Sequence, residues 1–465
     1  MNSSLNRRNF LKLSAASTVT AFSTTQAEAK DWTAPGNESR YPIRESEWKN
    51  RLGASEIPYD GLVSSLKSEN QYVCAIRGEL PQDLSGSLFR TGPGIFERGG
   101  MRRRMIIDAD GMMRKFEFKN GQVTFSNKHI QTEKFRDETK AGKYLYPSFG
   151  MLVPETGLLT NSLAKIKNQA SVTAFIFGKR LFATDEIQPV VEIDPITLQT
   201  LSNPSPFGTH TYKAHTRITH FGSKLLHLAK FSPVTSKLQF VTYDENFMLM
   251  GESQSVKVSR NFHDWHVTKN YYVILLPPAY LNKWGLMKAM AGQATVGDAI
   301  EFNRSEQAQV LVIPRNGRLP RAYNLPAALD SWHSVNAFED GAGKIVFDFI
   351  ASKNWMSPVS GKSPMCKIMM GDLKVDKSLR PTVMSRVLID YVANKASYGA
   401  DHFKLHGVEM PTIDSKRTGL STASAYFVAG QEGLDSQLIR LDYQNKTLDR
   451  YDFGPGQFVT EPIYA

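Results

Sequence analysis

Short alternating segments separated by tight polar turns recur along most of this chain, and they limit what it can fold into. Arg114-Lys115-Phe116-Glu117-Phe118 leads through Lys119-Asn120-Gly121-Gln122 into Val123-Thr124-Phe125-Ser126. Asn-Gly between alternating runs favours a two-residue hairpin, because both central positions accept the left-handed backbone that strand twist demands. Acidic turns between short strands return at Ile193-Asp194-Pro195, Tyr243-Asp244-Glu245-Asn246, Phe338-Glu339-Asp340-Gly341 and Leu441-Asp442-Tyr443-Gln444. Helical periodicity is rare by contrast. Such an all-β pattern over 465 residues favours a β-propeller over a sandwich or a parallel solenoid. The repeat is too degenerate to count blades, and it has neither a WD dipeptide nor a regular kelch double glycine. One segment departs from it. Leu281, Trp284, Met287 and Ala291 fall near helical spacing, with Lys283 and Lys288 off that face. It reads as a short helix packed on the core, or as an interfacial helix that dips into lipid or lines an apolar entrance.

The N-terminus has the order of an export signal. Asn6-Arg7-Arg8-Asn9-Phe10-Leu11-Lys12 matches the twin-arginine pattern, a weakly apolar stretch runs from Leu13 to Phe22, and Ala27-Glu28-Ala29 offers small residues for cleavage. The expected organisation is therefore a signal at 1–29, a polar, turn-rich arm at 30–70, and the propeller from 71 to 465. Twin-arginine export carries folded proteins, which suits a bound metal and places the mature chain in a periplasm or outside a bacterial cell. The formal net charge of +11 is spread along the chain, with no dense basic run beyond Arg98 to Arg104. A nucleic-acid partner is not expected; the surplus suits peripheral contact with an anionic membrane surface. Cys74 and Cys366 exclude a disulfide-stapled scaffold, and neither sits in a CxxC, so both read as thiols without chemistry.

Strand geometry thins the ten histidines. Residues an odd number apart on a strand face opposite sides. His215 therefore opposes His210 and His220, and His263 opposes His266. His402 and His406 could share a helical face, but no Glu follows His402 as a zinc-protease motif requires, so that pair reads as surface. No local cluster binds metal by itself. A site needs one imidazole from each of several distant strands, which the axis of a propeller offers.

Ala214-His215-Thr216, Phe262-His263-Asp264 and Trp332-His333-Ser334-Val335-Asn336 together resemble the histidine motifs of the carotenoid cleavage oxygenase family. Gly78-Glu79-Leu80-Pro81-Gln82-Asp83-Leu84-Ser85-Gly86 through Arg90-Thr91-Gly92-Pro93-Gly94 resembles that family's opening signature. Asp108-Ala109-Asp110-Gly111-Met112 resembles its FDGDGM element, and Thr132-Glu133-Lys134-Phe135 its TEKY. The resemblance implies a seven-bladed β-propeller with a small helical and loop cap, and Fe(II) on the axis held by four histidines. His215, His263 and His333 match three of these. Imidazole suits Fe(II), and four would leave two octahedral positions for O2 and solvent. Glu186, Glu409 and Glu461 match the glutamates that hydrogen-bond the far nitrogens of ligand rings and fix their orientation. Two positions depart from the pattern. Met105 stands where the family has a histidine that is not a ligand, and the fourth ligand would lie beyond Ala465, leaving the last blade incomplete.

The resemblance implies a non-haem Fe(II) dioxygenase that cleaves a conjugated C=C bond of a carotenoid, apocarotenoid or stilbene. Its partners would be O2 and an apolar substrate held in a hydrophobic tunnel. Such chemistry needs no protein nucleophile, in keeping with the lack of any Ser-His-Asp or Cys-His arrangement. Lys134 could meet a polar substrate end, but reads more simply as a surface lysine. The alternative is a propeller that binds an apolar polyene or a partner without chemistry. A Ca2+ or zinc hydrolase or lectin ranks last, because no carboxylate-rich loop of EF-hand type or thiolate pair is present.

Overall fold

Asn120 and Gly121 adopt φ angles of 52° and 71°, and the Asp110–Lys119 strand folds back across them onto Gln122–His129. This Asn-Gly hairpin is the centre of blade 1 in the computed structural model, which describes residues 32–33, 40–52, 60–154, 160–201, 205–353, 355, 357–371, 382–429, 436–454 and 457–465. The segment read as an export signal, 1–29, lies outside them.

Of eight antiparallel sheets among the described residues, six follow one another along the chain as blades. Blade 1 completes its hairpin with Gly86–Ile95 on one edge and Gln71–Val73 on the other. Blade 2 is Thr173–Phe177, Arg180–Thr184 and Val191–Ile193. Blade 3 runs Arg217–His220, Lys224–Ser232, Lys237–Tyr243 and Leu249–Glu252, with Val256–Lys257 beside its third strand. Blade 4 is His266–Val267, Tyr271–Leu276, Gln309–Pro314 and Arg321–Asn324. Blade 5 is Ser334–Glu339, Ile345–Ser352, Thr382–Asp390 and Lys395–Gly399. Blade 6 is Val408–Thr412, Ser424–Ala429, Gln437–Asp442 and Thr447–Asp452. In blades 3 to 6 the strands pair in sequence order, so each sheet is a meander with its first strand at one edge.

The sheets are held face to face by apolar layers. Met113 and Leu181 share a core between blades 1 and 2, Phe182 and Leu228 between 2 and 3, and Phe240, Trp265 and Tyr272 between 3 and 4. Val312 and Phe347 do the same between 4 and 5, and Ile350 and Phe427 between 5 and 6. This explains why Ile345–Ser352 reads as a nearly continuous apolar run: both of its faces meet a neighbouring sheet. Among the described residues no such core joins blade 6 to blade 1. Residues 457–465 run there instead, with the Glu461 carbonyl accepting from Arg90 and the Tyr464 ring 5.9 Å from that of Tyr426. The architecture is thus the all-β propeller expected, with six blades among the described residues.

The long connections of blades 1, 4 and 5 pack on one another as a small cap. Met105 is buried with Val359 and Cys366, and Phe302 stacks on Trp355 at 5.2 Å. Glu133–Ala141 starts at Thr132, whose side chain accepts from the Phe135 amide. Glu138 of this helix is buried with Asp110, Lys167 and Arg103, Lys167 standing 2.7 Å from it. Lys134 is tied down rather than free: its ammonium donates to the carbonyls of Lys165 and Ile166. Cys366 is buried, its thiol donating to the Pro358 carbonyl, and Cys74 is half-buried.

Candidate metal centre

Each of three blades is entered through a histidine. His215 precedes Arg217–His220 of blade 3, His263 precedes His266–Val267 of blade 4, and His333 immediately precedes Ser334–Glu339 of blade 5. Because those strands are the first edges of their sheets, the three side chains meet where the edges converge. Their ligand atoms all lie within 4.8 Å of one another. The Nε2 atoms of His215 and His263 are 3.0 Å apart, and the rings stand at 90°, 88° and 76° to one another. Two metal–nitrogen bonds of about 2.1 Å at a right angle separate their nitrogens by about 3.0 Å. The His215 and His263 nitrogens are thus spaced as two adjacent ligands of one ion would be, with a His333 ligand atom within 4.8 Å of both.

The far nitrogens are directed outward. His333 Nδ1 is 2.7 Å from Glu409 Oε2, and His263 Nδ1 is 3.3 Å from Glu186 Oε2. Each carboxylate favours the tautomer that keeps the proton on Nδ1 and turns the Nε2 lone pair toward the cluster. Glu186 follows the Arg180–Thr184 strand of blade 2, and Glu409 lies in the first strand of blade 6. Five consecutive blades thus supply the site. Glu461 is placed differently: its side chain is exposed and hydrogen-bonds none of the three rings.

Burial pushes His215 well below its ordinary pKa. Burial also works against the charged form of His333, but the Glu409 carboxylate outweighs it and raises that imidazole to about 9, so that without metal Nε2 carries a second proton, which a bound ion would displace. Glu186 shows the opposite balance. Burial raises it, while Lys213 and His263 hold it down at about 2. Lys213 is a side chain that sequence reasoning passed over. It is fully buried, forms an ion pair with Glu186 Oε1, and lies 4.7 Å from the centre of the Phe262 ring. Its one sequence signal is a lysine set between the buried residues Tyr212 and Ala214.

His266 stands apart from the cluster as expected, although His263 sits in a bend before the strand and strand parity is not the cause. Its Nε2 faces Arg217 Nη2 at 3.2 Å, and burial drives it to about 3, so it is a neutral internal histidine. His402 and His406 are exposed. Asp264, which the sequence marks only as the neighbour of His263, is buried and ion-paired with Arg217. Trp332, part of the His333 motif but given no role from sequence, has its ring 5.2 Å from that of His263. A cavity of about 420 Å3 is lined by Asn336, Phe338, Asp348, Arg386, Arg417 and Tyr443, among others. None of the three histidines lines it, so it is not the apolar tunnel that the sequence leads one to expect.

Comparison with known proteins agrees with this architecture. The family model for retinal pigment epithelial membrane protein matches residues 63–465. An apocarotenoid-15,15'-oxygenase of Synechocystis sp. is 26% identical over 424 residues, 87% of this chain and 83% of that protein. A lignostilbene-alpha,beta-dioxygenase, isozyme III, of Sphingomonas paucimobilis is 25% identical over 305 residues, covering 63% of this chain and 60% of its own. Among solved structures, a variant of the Synechocystis apocarotenoid oxygenase superposes with a TM-score of 0.76 at 23% identity, over 92% of this chain and 88% of that one. A cobalt-substituted form of the same oxygenase gives 0.74, also at 23% identity and the same coverage of each chain.

Proposed function

The chain belongs to the retinal pigment epithelial membrane protein family of carotenoid cleavage oxygenases, and we propose that it cleaves a conjugated C=C bond with dioxygen. The substrate is a carotenoid, apocarotenoid or stilbene, the class to which the names of the two relatives point. The alkene breaks at one double bond, and each carbon leaves as a carbonyl with one oxygen atom of O2. The metal is Fe(II), held by His215, His263 and His333. The observation that carries this reading is the convergence of three perpendicular imidazoles drawn from three blades.

Fe(II), when bound, supplies the site for binding and activating dioxygen. The chain's own residues prepare that site. Glu409 and Glu186 hold a proton on Nδ1 of His333 and His263 and keep both rings in place. Lys213 balances the charge of Glu186. Trp332 packs its ring against that of His263. The test is metal analysis of the anaerobically purified chain, with O2 uptake on apocarotenal and stilbene substrates. One iron per chain and labelled oxygen in both carbonyl products are expected; a chain that takes up no iron sinks the proposal. Polyene binding without O2 uptake would favour the non-catalytic binder instead.

The helix Lys283–Met290 supports peripheral contact with an anionic membrane. Its small residues face the protein, Ala289 buried and Gly285 so close that an added Cβ would stand 2.8 Å from Ala299 Cα. Trp284 and Met287 point outward, 62% and 58% exposed. A helix facing water presents the reverse pattern. The exposed Lys283 and Lys288 flank this apolar face, as an interfacial helix on anionic lipid requires.

A further inference from the structure

Asp264 touches more of the candidate metal centre's framework than either glutamate. Its Oδ1 accepts from the Trp265 amide at 2.7 Å and from Arg217 Nη2, two residues after His215. Its Oδ2 accepts from both the amide and the hydroxyl of Ser334, the residue after His333, at 2.9 and 2.8 Å. Arg217 also turns Nη1 back onto the Thr216 carbonyl at 3.0 Å, and Trp265 Nε1 donates to the His215 carbonyl at 3.1 Å. One buried carboxylate, itself next to His263, thus ties the chain beside all three histidines across blades 3, 4 and 5.

We propose that Asp264 is the positioning residue of this centre, fastening the three histidine-bearing segments at the spacing a metal requires. The inference rests on the metal reading above. The sheets that carry the histidines are separate bodies joined by side-chain packing, which fixes face-to-face distance well but fixes sliding along the axis less firmly. Hydrogen bonds to charged acceptors are directional and stronger than neutral ones, so they supply what packing lacks. Both oxygens are used, one toward blade 3 and one toward blade 5. An amide cannot reproduce this, because its NH2 would face either the Arg217 guanidinium or the Ser334 donors. Arg217 balances the charge of Asp264, so the tie adds no net charge beside the ion.

The test uses the full chain, with cobalt(II) as the probe and its visible ligand-field absorption as the readout. Asp264→Asn is expected to weaken cobalt binding about 10- to 100-fold, the range seen when groups behind metal ligands are removed, and to shift the absorption bands. Ser334→Ala removes one hydroxyl only, should fold, and is expected to lose a smaller share of affinity. Unchanged affinity and bands in both variants, with a lower melting temperature alone, would reduce Asp264 to a structural residue and overturn the proposal. Amide exchange at Ser334 and Trp265 in the metal-free chain is a second, independent readout. Faster exchange in Asp264→Asn supports the tie, and unchanged exchange refutes it. A wild-type chain that takes up no cobalt sinks the metal reading, and the exchange rates then still test the tie.

Discussion

An imidazole offers a metal one defined nitrogen only when its other nitrogen has a fixed partner, and Glu409 is that partner for His333 at 2.7 Å. Replacing Glu409 by Gln keeps the shape but removes the charge, and metal affinity should fall at least about tenfold in a cobalt titration. Lys213 acts one step further out. Lys213→Met would leave the Glu186 carboxylate short of its cation in a mostly buried site, costing on the order of 3 kcal/mol of stability by urea unfolding. Adding Glu186→Gln should recover most of that loss, because the two groups form one interaction. His227 carries the acid sensitivity. It is buried between Thr219 and Thr242 at 2.9 and 3.0 Å, and burial lowers it to about 3. The fold therefore holds it neutral, while the unfolded chain takes up its proton near pH 6.5. Its contribution is complete above that pH and is lost as pH falls toward 3, at about 1.4 kcal/mol per unit. Urea midpoints of His227→Gln should fall less steeply than wild type between pH 7 and 5; parallel slopes would contradict this. At this scale the sequence separated His263 from His266 correctly but for the wrong reason: only His266 lies in a strand, and a bend at His263, not strand parity, turns the two apart. Lys213 and Asp264 stayed hidden because their partners, Glu186 and Ser334, come from other blades, and no local pattern marks such a pairing.

The Lys283–Met290 helix shows what periodicity can and cannot reveal about an element. Spacing of Trp284 and Met287 disclosed a helix, and Asn282 caps it by accepting from the amides of Trp284 and Gly285. Direction was beyond spacing, because a bulky apolar set turns inward in most helices. Gly285 reverses it: the helix can approach Ala299 closely only on the side that lacks a Cβ. Gly285→Ala should thus cost about 1–3 kcal/mol through overpacking. Trp284→Ser with Met287→Ser should change stability by less than about 0.5 kcal/mol each, as exposed positions do. The same pair should abolish sedimentation with phosphatidylglycerol vesicles; undiminished binding would remove the helix from the membrane contact. The Asn120-Gly121 hairpin was legible for a different reason, since its left-handed pair of φ angles is a local demand that the sequence meets locally. Blade boundaries were not, because each apolar layer is shared by two sheets and belongs to neither segment alone.

At the scale of the molecule, the centre exists only after the blades have assembled. Glu186, His215, His263, His333 and Glu409 come from blades 2 to 6 in order, one side chain for each successive sheet. No fragment holding one blade contains more than one of them. A metal loaded into such a site must be loaded after folding, in whichever compartment folding occurs. Export through a channel for unfolded chains would postpone loading until after transport, whereas twin-arginine export moves the folded chain with its metal in place. We propose that the Arg7-Arg8 pair serves export of the folded chain, which would carry a centre built across five blades with its metal in place. Replacing both arginines by lysine should retain the chain inside the cell, folded and carrying metal, while wild type appears in the periplasmic fraction. Fractionation with metal analysis of each pool checks this. Export of the double-lysine form at the wild-type level would show that Arg7 and Arg8 do not address the chain, and would separate where the metal is acquired from how the protein travels.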